Sequence, residues 1–459
     1  MLKLTCKEIM AATGGHLICG NPDSTIYRIS TDSRKIYEGD LFIPIAGERF
    51  DGHDYIRSSF EAGASAAITH KEVGQIEGKT VIRVEDTLKA LGEIAKYYRS
   101  KFDIPFTAIT GSVGKTSTKD MVWSVLRQKY NVLRTEGNFN NEIGLPLTMF
   151  NLEEAHEAGV IEMGMSGFGE ISRLTAIVKP NIAIITNIGM SHIEKLGSKQ
   201  NILKAKMEIL EGLKKDGLLI LNGDDPLLQG LKTLLNNRTV FYGLEEGYEY
   251  QAYNVQTFGE TGTQFEITVN NKEYKVHVPV PGIHHVYNAL ASIAAGIELK
   301  VPMEQIVRGI SEFSPGKMRQ NIIEHQGVKI INDAYNASPQ SMEAAITVLR
   351  DLGAEGRTVA ILGDMLEMGD WAPKAHAEVG KFVFFQGIKY IITVGENGKH
   401  IADGAVKAGA EAERVFSFSN NEDLINFVKR FLRPGDFVLV KGSRGMKMEQ
   451  VVEGLTTGA

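Results

Sequence analysis

Short apolar runs of four to six residues alternate along most of this chain with longer stretches whose apolar positions recur every three to four residues. In the first eighty-five residues the runs at 40–45 and 80–84 read as strands and 56–62 reads as a helix, which predicts a small α/β unit. Leu88, Leu91, Ile94 and Ala95 then follow helical spacing through 86–100, and Pro105 ends that pattern, so a first domain boundary is expected between 85 and 103. Runs at 106–110, 160–163, 182–186 and 218–221 alternate with helical stretches and predict a mostly parallel sheet covered by helices. Between 250 and 280 the period falls to two, with Phe265, Ile267 and Val269 set against polar neighbours and a turn at Asn270-Asn271; a small appended antiparallel sheet is expected there. Pro315-Gly316 punctuates the chain, and runs at 328–331, 359–362, 391–394 and 437–440 restart the α/β alternation. Three domains are expected, over 1–85, 86–314 and 315–459.

A length of 459 residues agrees, being more than one hydrophobic core usually organises. Apolar residues at 43% and charged residues at 23% exclude the disordered and fibrous classes. A net charge of -6 argues against nucleic acid as a partner while leaving room for a local phosphate pocket. Cys6 and Cys19 form neither a disulfide framework nor a CxxC pair, which fits a reducing, cytoplasmic setting. The N-terminal stretch does not read as a signal peptide. No run of eighteen apolar residues suggests a membrane span.

Candidate chemistry begins at Gly111-Ser112-Val113-Gly114-Lys115-Thr116-Ser117, directly after a strand run and before a helical stretch. That context suits a phosphate loop. With only Ser112 and Val113 between its glycines, the loop is tighter than the common G-x-x-x-x-G-K-[ST] form. Its backbone N–H groups would hold phosphate oxygens, Lys115 would neutralise the β/γ charge, and the Thr116 hydroxyl would ligate magnesium. Glu162 and His192 each follow a strand run, at the edge where open α/β sheets bind ligands. Taken singly, a solvated glutamate and a structural histidine are the commoner readings. Asn138, Asn140 and Asn141 offer side-chain amides for carboxylate or carbonyl oxygens, or equally an asparagine-rich loop. Lys204 and Lys206 read as a solvated helix face, with nothing to single out either.

The stretches SRKIYEGDLFIPIAGERFDGHDY, TGSVGKTSTK, TEGNFNNEIGLPLT, TNIGMSHIEKLGS, NDAYNASPQSM, LGDMLEMG and KGSRGMKME, in this order, resemble the Mur ligase family. LPLT and DAYNASPQSM are similar to its branch that adds D-alanyl-D-alanine to UDP-N-acetylmuramoyl-tripeptide; folylpolyglutamate synthase shares the loop but lacks the first unit. The resemblance implies an α/β fold of three domains. These are a small N-terminal domain for the UDP end, a central P-loop mononucleotide-binding domain, and a C-terminal Rossmann-like domain that closes over ATP and binds the dipeptide. It implies ATP and Mg2+ as cofactors and an acyl-phosphate route to an amide bond. Lys115 becomes the γ-phosphate lysine, Thr116 and Glu162 the ligands of one magnesium, His192 a ligand of a second, and Lys206 a carbamylated lysine serving the metals. Asn288 would contact the nucleotide, and Arg319, Asp333 and Asn336 would reach ATP from the third domain. Ser33, Arg34, Gly47, Asp51 and His53 would form the uridine diphosphate pocket. His285, Ser338 and Gly445 depart from the family pattern. A monomer is expected. The loop alone also suits a kinase or ATPase, and a binding protein with a vestigial nucleotide site is the non-catalytic rival.

Overall fold

Three large sheets carry the chain in a computed structural model that describes residues 2–47, 50–74 and 76–457. The first orders its strands His16–Cys19, Thr80–Arg83, Ala66–Thr69, Asp40–Phe42 and Arg28–Ser30; only the pairing of His16–Cys19 with Thr80–Arg83 is antiparallel. Phe42, Ile56, Phe60 and Val81 fill one face, while Leu41, Ile68 and Ile82 join a larger core beneath the helix Thr87–Arg99. That helix ties the first sheet to the second. Asp86 caps it by accepting from Lys89 N at 2.9 Å. Near its other end the buried Arg99 guanidinium donates to the carbonyls of Val178 (3.0 Å), Phe102 (2.6 Å) and Ile104 (3.2 Å) and lies over the Phe106 ring. A charge this deep is tolerated because its donors meet carbonyl oxygens.

The second sheet has nine strands, in the order Lys272–Val278, Thr263–Val269, Tyr250–Thr257, Arg238–Gly243, Leu218–Asn222, Ile182–Ile185, Phe106–Thr110, Ala158–Glu162 and Val132–Arg134. Every residue of Phe106–Thr110 is buried, as a parallel strand covered on both faces requires. Ile109 meets the helices Lys115–Leu126 and His284–Glu298 on one side, and Ala108 faces the core shared with the first unit. Successive strands add on opposite sides of Phe106–Thr110, first Ala158–Glu162 and then Ile182–Ile185. The connections leaving their carboxyl ends diverge there and open a crevice. The antiparallel strands expected between 250 and 280 are present, but not as an appended sheet. Tyr250–Thr257 pairs with Arg238–Gly243 through Tyr242↔Tyr250 and Gly243↔Gln251, so one ladder runs through.

The third sheet runs Asn321–His325, Val328–Asp333, Asp436–Lys441, Arg357–Gly363, Tyr390–Val394 and Val415–Phe418, parallel except for the first hairpin. The hairpin turns on Gln326 and Gly327, both with positive φ, the geometry that matches strand twist in a two-residue loop. Two of its helices, Ala372–Phe385 and Gly398–Ala408, approach through glycines: a Cβ on Gly380 would lie 1.9 Å from Ile401 O, and one on Gly404 would lie 2.2 Å from Ala377 O. Gly380→Ala is therefore expected to force the pair apart and destabilise the protein by about 1–3 kcal/mol, read as an earlier denaturant midpoint. An unchanged midpoint would contradict the close crossing.

Candidate active site

The phosphate loop is held by the segment that follows the neighbouring strand. Gly111 has φ 153°, and a Cβ there would stand 1.8 Å from Thr186 Oγ1, so no larger residue fits. Thr186 Oγ1 donates to Val113 O at 2.6 Å, Asn187 Oδ1 accepts from Val113 N at 3.0 Å, and Ser112 Oγ accepts from Gly189 N at 2.7 Å. Gly114, at φ 84°, opens the twelve-residue helix Lys115–Leu126, whose first turn has no side-chain cap. Its free N–H groups and the positive end of its dipole face the crevice, the arrangement that binds an anion.

A cavity of about 610 Å³ lies in front of that helix end. Ser112 to Ser117, Asn138, Asn140, Asn141, Glu162, His192 and Asn288 line it from the second unit, and Arg319, Asp333 and Asn336 close it from the third. Lys115 folds back, donating to Gly111 O at 2.7 Å and Ser112 O at 3.3 Å. Its pKa is lowered, chiefly by desolvation; Glu162 opposes that shift and Arg319 adds to it. Glu162 is only 2% exposed, so it is not the solvated strand-end residue of the commoner reading. Its Oε1 accepts from Asn140 Nδ2 at 2.7 Å, and its Oε2 is buried with no partner among the described residues. Asn141 has a partly structural task, accepting from Gly144 N at 2.8 Å and starting the helix Gly144–Met149. His192, at φ 63°, brings Nδ1 to 2.5 Å from Glu367 Oε2, a contact that spans the second and third units.

Lys206 corrects the reading of a solvated helix face. The residue is 2% exposed, while Lys204 is exposed. Its ammonium finds neither hydrogen bond nor ion pair among the described residues, and desolvation, joined by the charge of Lys115, pushes its pKa well below the ordinary value. A signal was present in the sequence: Ile202, Ala205, Lys206 and Ile209 form an i, i+3, i+4, i+7 stripe that places Lys206 on the buried side. Sequence reasoning also passed over Lys441, 2% exposed at the end of the strand Asp436–Lys441. It donates to Asp333 Oδ2 at 2.5 Å and to Asn336 O at 2.9 Å and so shapes the third unit's side of the cavity.

Ser33, Arg34, Gly47, Asp51 and His53 do not line this cavity; all belong to the first unit. Arg34 is exposed and paired with Asp32 at 2.8 Å. Asp51 caps the turn Gly52–Tyr55, accepting from His53 N at 2.9 Å, and meets His53 Nδ1 at 2.6 Å and Lys71 Nζ at 2.5 Å. Lys71 first, then His53, holds its carboxyl well below the usual range. His53 Nε2 is buried without a partner among the described residues. Glu48 and Arg49, within the same quoted stretch, lie outside the described residues.

Residues 109–296 match the sequence family described as Mur ligase middle domain, residues 318–444 match Mur ligase, glutamate ligase domain, and residues 25–99 match Mur ligase family, catalytic domain. The UDP-N-acetylmuramoyl-tripeptide--D-alanyl-D-alanine ligase of Bacillus subtilis is 43% identical over 99% of both chains. This chain belongs to the Mur ligase family. Its fold is similar to that of MurF from Acinetobacter baumannii, with a TM-score of 0.92 at 30% identity and 99% of each chain covered. It is also similar to MurF ligase from Thermotoga maritima in complex with ADP, with a TM-score of 0.83 at 28% identity, covering 93% of this chain and 96% of that one.

In this Mur ligase the buried lysine carries a pH signature. A lysine ordinarily titrates at 10.5, and Lys206 is held well below that in the folded chain. Between those two values the unfolded chain keeps a proton that the folded one lacks. Stability therefore weakens as pH falls from the ordinary value toward the folded one, by at most about 1.4 kcal/mol per pH unit. Lys206→Met should remove that slope and melt at a higher temperature near neutral pH in bicarbonate-free buffer. Identical slopes in the two proteins would contradict the buried, uncharged amine.

Proposed function

We infer that this Mur ligase uses ATP to join D-alanyl-D-alanine to UDP-N-acetylmuramoyl-tripeptide, giving the UDP-muramoyl-pentapeptide. One observation carries the reading. A phosphate loop with Lys115, a buried carboxylate with a spare oxygen at Glu162, and Arg319 and Asp333 from another unit face a single cavity, in a chain related end to end to ligases of that name. Residues 1–85 bind the UDP end, 86–314 hold ATP, and 315–459 close over ATP and receive the dipeptide.

In the proposed reaction the loop N–H groups hold the β- and γ-phosphates, and Lys115 exchanges its two loop carbonyls for γ-phosphate oxygens. The tripeptide's terminal carboxylate oxygen attacks the γ-phosphorus and ADP leaves. The amine of D-alanyl-D-alanine then attacks the acyl-phosphate carbonyl carbon, loses a proton, and expels inorganic phosphate as the amide forms. Lys115 and Arg319 offset the charge that gathers on the transferring group. Asn138 and Asn140 orient substrate oxygens without adding charge.

Magnesium suits the donor set: Thr116, Glu162, His192 and Lys206 are the residues that would hold it, and it would supply charge stabilisation at the phosphates. Among the described residues no three His, Cys, Asp or Glu side chains gather as a metal site; in this proposal the ion would take phosphate oxygens and one further anion beside Glu162 and His192. A neutral Lys206 amine can supply one by adding carbon dioxide and releasing a proton, which makes a carbamate. The enzyme is proposed to act as a monomer in the cytoplasm; no described helix is long and apolar enough to cross a membrane.

Mass spectrometry of reactions with ATP, UDP-muramoyl tripeptide and D-alanyl-D-alanine should show the pentapeptide product, with ADP released over many turnovers only when the dipeptide is present. Lys115→Ala should lower kcat by at least about 10²–10³-fold with the fold intact by circular dichroism. Sustained ADP turnover independent of the dipeptide, or wild-type turnover in Lys115→Ala, would contradict the assignment.

A further inference from the structure

The joint between the second and third units is built from strained backbone held by a clasp. It runs from the end of the helix Met303–Ser311 to the strand Asn321–His325, and both Met318 (φ 58°) and Gln320 (φ 55°) take the left-handed conformation that side chains other than glycine rarely adopt. The side chain of Gln320, 8% exposed, is gripped from the second unit. His284 Nε2 lies 3.1 Å and His285 Nε2 3.2 Å from Gln320 Oε1, and both histidines stand in the first turn of the helix His284–Glu298. An amide oxygen only accepts, so each imidazole must present Nε2–H to it. The next link fixes the tautomer of His285 independently: its Nδ1 lies 3.4 Å from Asn288 Nδ2, a donor, which leaves the proton on Nε2. Burial pushes His284 down to about 4 and His285 well below its ordinary value, so both rings are neutral.

The chain of bonds continues to the phosphate loop. Asn288 Oδ1 accepts from Thr118 Oγ1 at 3.0 Å, and Thr118 N donates to Gly114 O at 2.8 Å, within the first turn after the loop. The same Asn288 oxygen would lie 3.3 Å from a Cβ on Gly114, so the amide leaves no easy room for a side chain at that loop position. At the other end, Arg319 immediately precedes Gln320. Its guanidinium lies over the Tyr335 ring at 4.1 Å, lines the cavity, and sits near enough to Lys115 to bear on its charge. Tyr335 N donates to Met318 O at 3.2 Å, so the strained segment also fixes the ring on which Arg319 rests.

We propose that Gln320 is a positioning residue: clasped by the Nε2–H groups of His284 and His285, it sets Arg319 over the phosphate loop. The links Asn288 and Thr118 make that clasp follow the position of the loop itself. Nucleotide that orders the loop then favours the closed joint, and a closed joint favours nucleotide by the same factor. The inference rests on the ligase reading for its rate measurements alone, because the clasp also predicts a change in ADP affinity that needs no turnover.

The test uses full-length protein. Gln320→Met removes the acceptor while keeping bulk, Gln320→Glu keeps an oxygen able to accept both N–H groups, and Thr118→Val cuts the chain at its far end without touching the joint. Expected for Gln320→Met are a kcat and a calorimetric ADP affinity each lower by roughly fivefold to thirtyfold, with the KM for the UDP substrate unchanged. Gln320→Glu should restore most of both. Thr118→Val should lose kcat in the same way, and the double variant Thr118→Val/Gln320→Met should be no worse than the poorer single one, because both cut one chain. Should Gln320→Met fail to fold, Thr118→Val alone decides by the same readings. Wild-type kcat and ADP affinity in Gln320→Met or Thr118→Val, equal losses in Gln320→Met and Gln320→Glu, or additive losses in the double variant would overturn the clasp. A wild-type chain that forms no amide product overturns the ligase reading instead, while ADP affinity still tests the clasp.

Discussion

Two desolvated lysines, one of them facing a carboxylate with one oxygen to spare, set the terms for the rest of this structure. Lys206 is buried and Lys115 half-buried at the cavity wall, and the charge of Lys115 disfavours the charged form of Lys206. Glu162 is the near anion, and half of it is already occupied by Asn140. Such a cluster is poorly balanced alone, since buried charge costs several kcal/mol unless it is paired or neutralised. In the proposed reaction it is balanced as phosphate oxygens meet Lys115, a cation meets Glu162, and the Lys206 amine carries an anion. Under that proposal binding and charge neutralisation are one event.

The fold supplies what that cluster needs, namely fixed positions on rigid strands and a wall contributed by a separate sheet. Gly111, Thr186 and Asn187 lock the loop onto the neighbouring strand's exit, so the helix end cannot drift from Glu162 at the exit of the next strand. Arg99 binds the helix Thr87–Arg99 to the central sheet, whereas Arg319 stands in the strained joint and Asp333 and Lys441 end strands of the third sheet beyond it. A wall reached through one joint and a few polar contacts, such as His192 with Glu367, suits an enzyme that must admit a nucleotide and two substrates and then exclude water.

Much of this was legible in the sequence because its main determinants are local. Parallel strands buried on both faces are short apolar runs, and those at 106–110, 182–186 and 218–221 fall on observed strands within a residue. Val132–Arg134 and Asn321–His325 escaped notice because edge strands this short, partly exposed, carry little periodic signal. The phosphate loop declared itself through glycines that the turn demands. Lys206 was passed over although it shares an apolar stripe with Ile202, Ala205 and Ile209, because a lysine in a helix far more often faces water. Lys441 and Gln320 were silent, since their roles depend on Asp333 and on the histidine pair, 108 and about 36 residues away.

The central claim is that Lys206 is an uncharged amine in the folded protein that is converted into a carbamate anion. Carbon-13 NMR of the chain equilibrated with labelled bicarbonate tests this most directly. The account predicts one protein-bound carbamate signal that persists in Lys204→Met and disappears in Lys206→Met, together with ligase activity. No carbamate signal in the wild-type chain, alongside full activity of Lys206→Met, would contradict it.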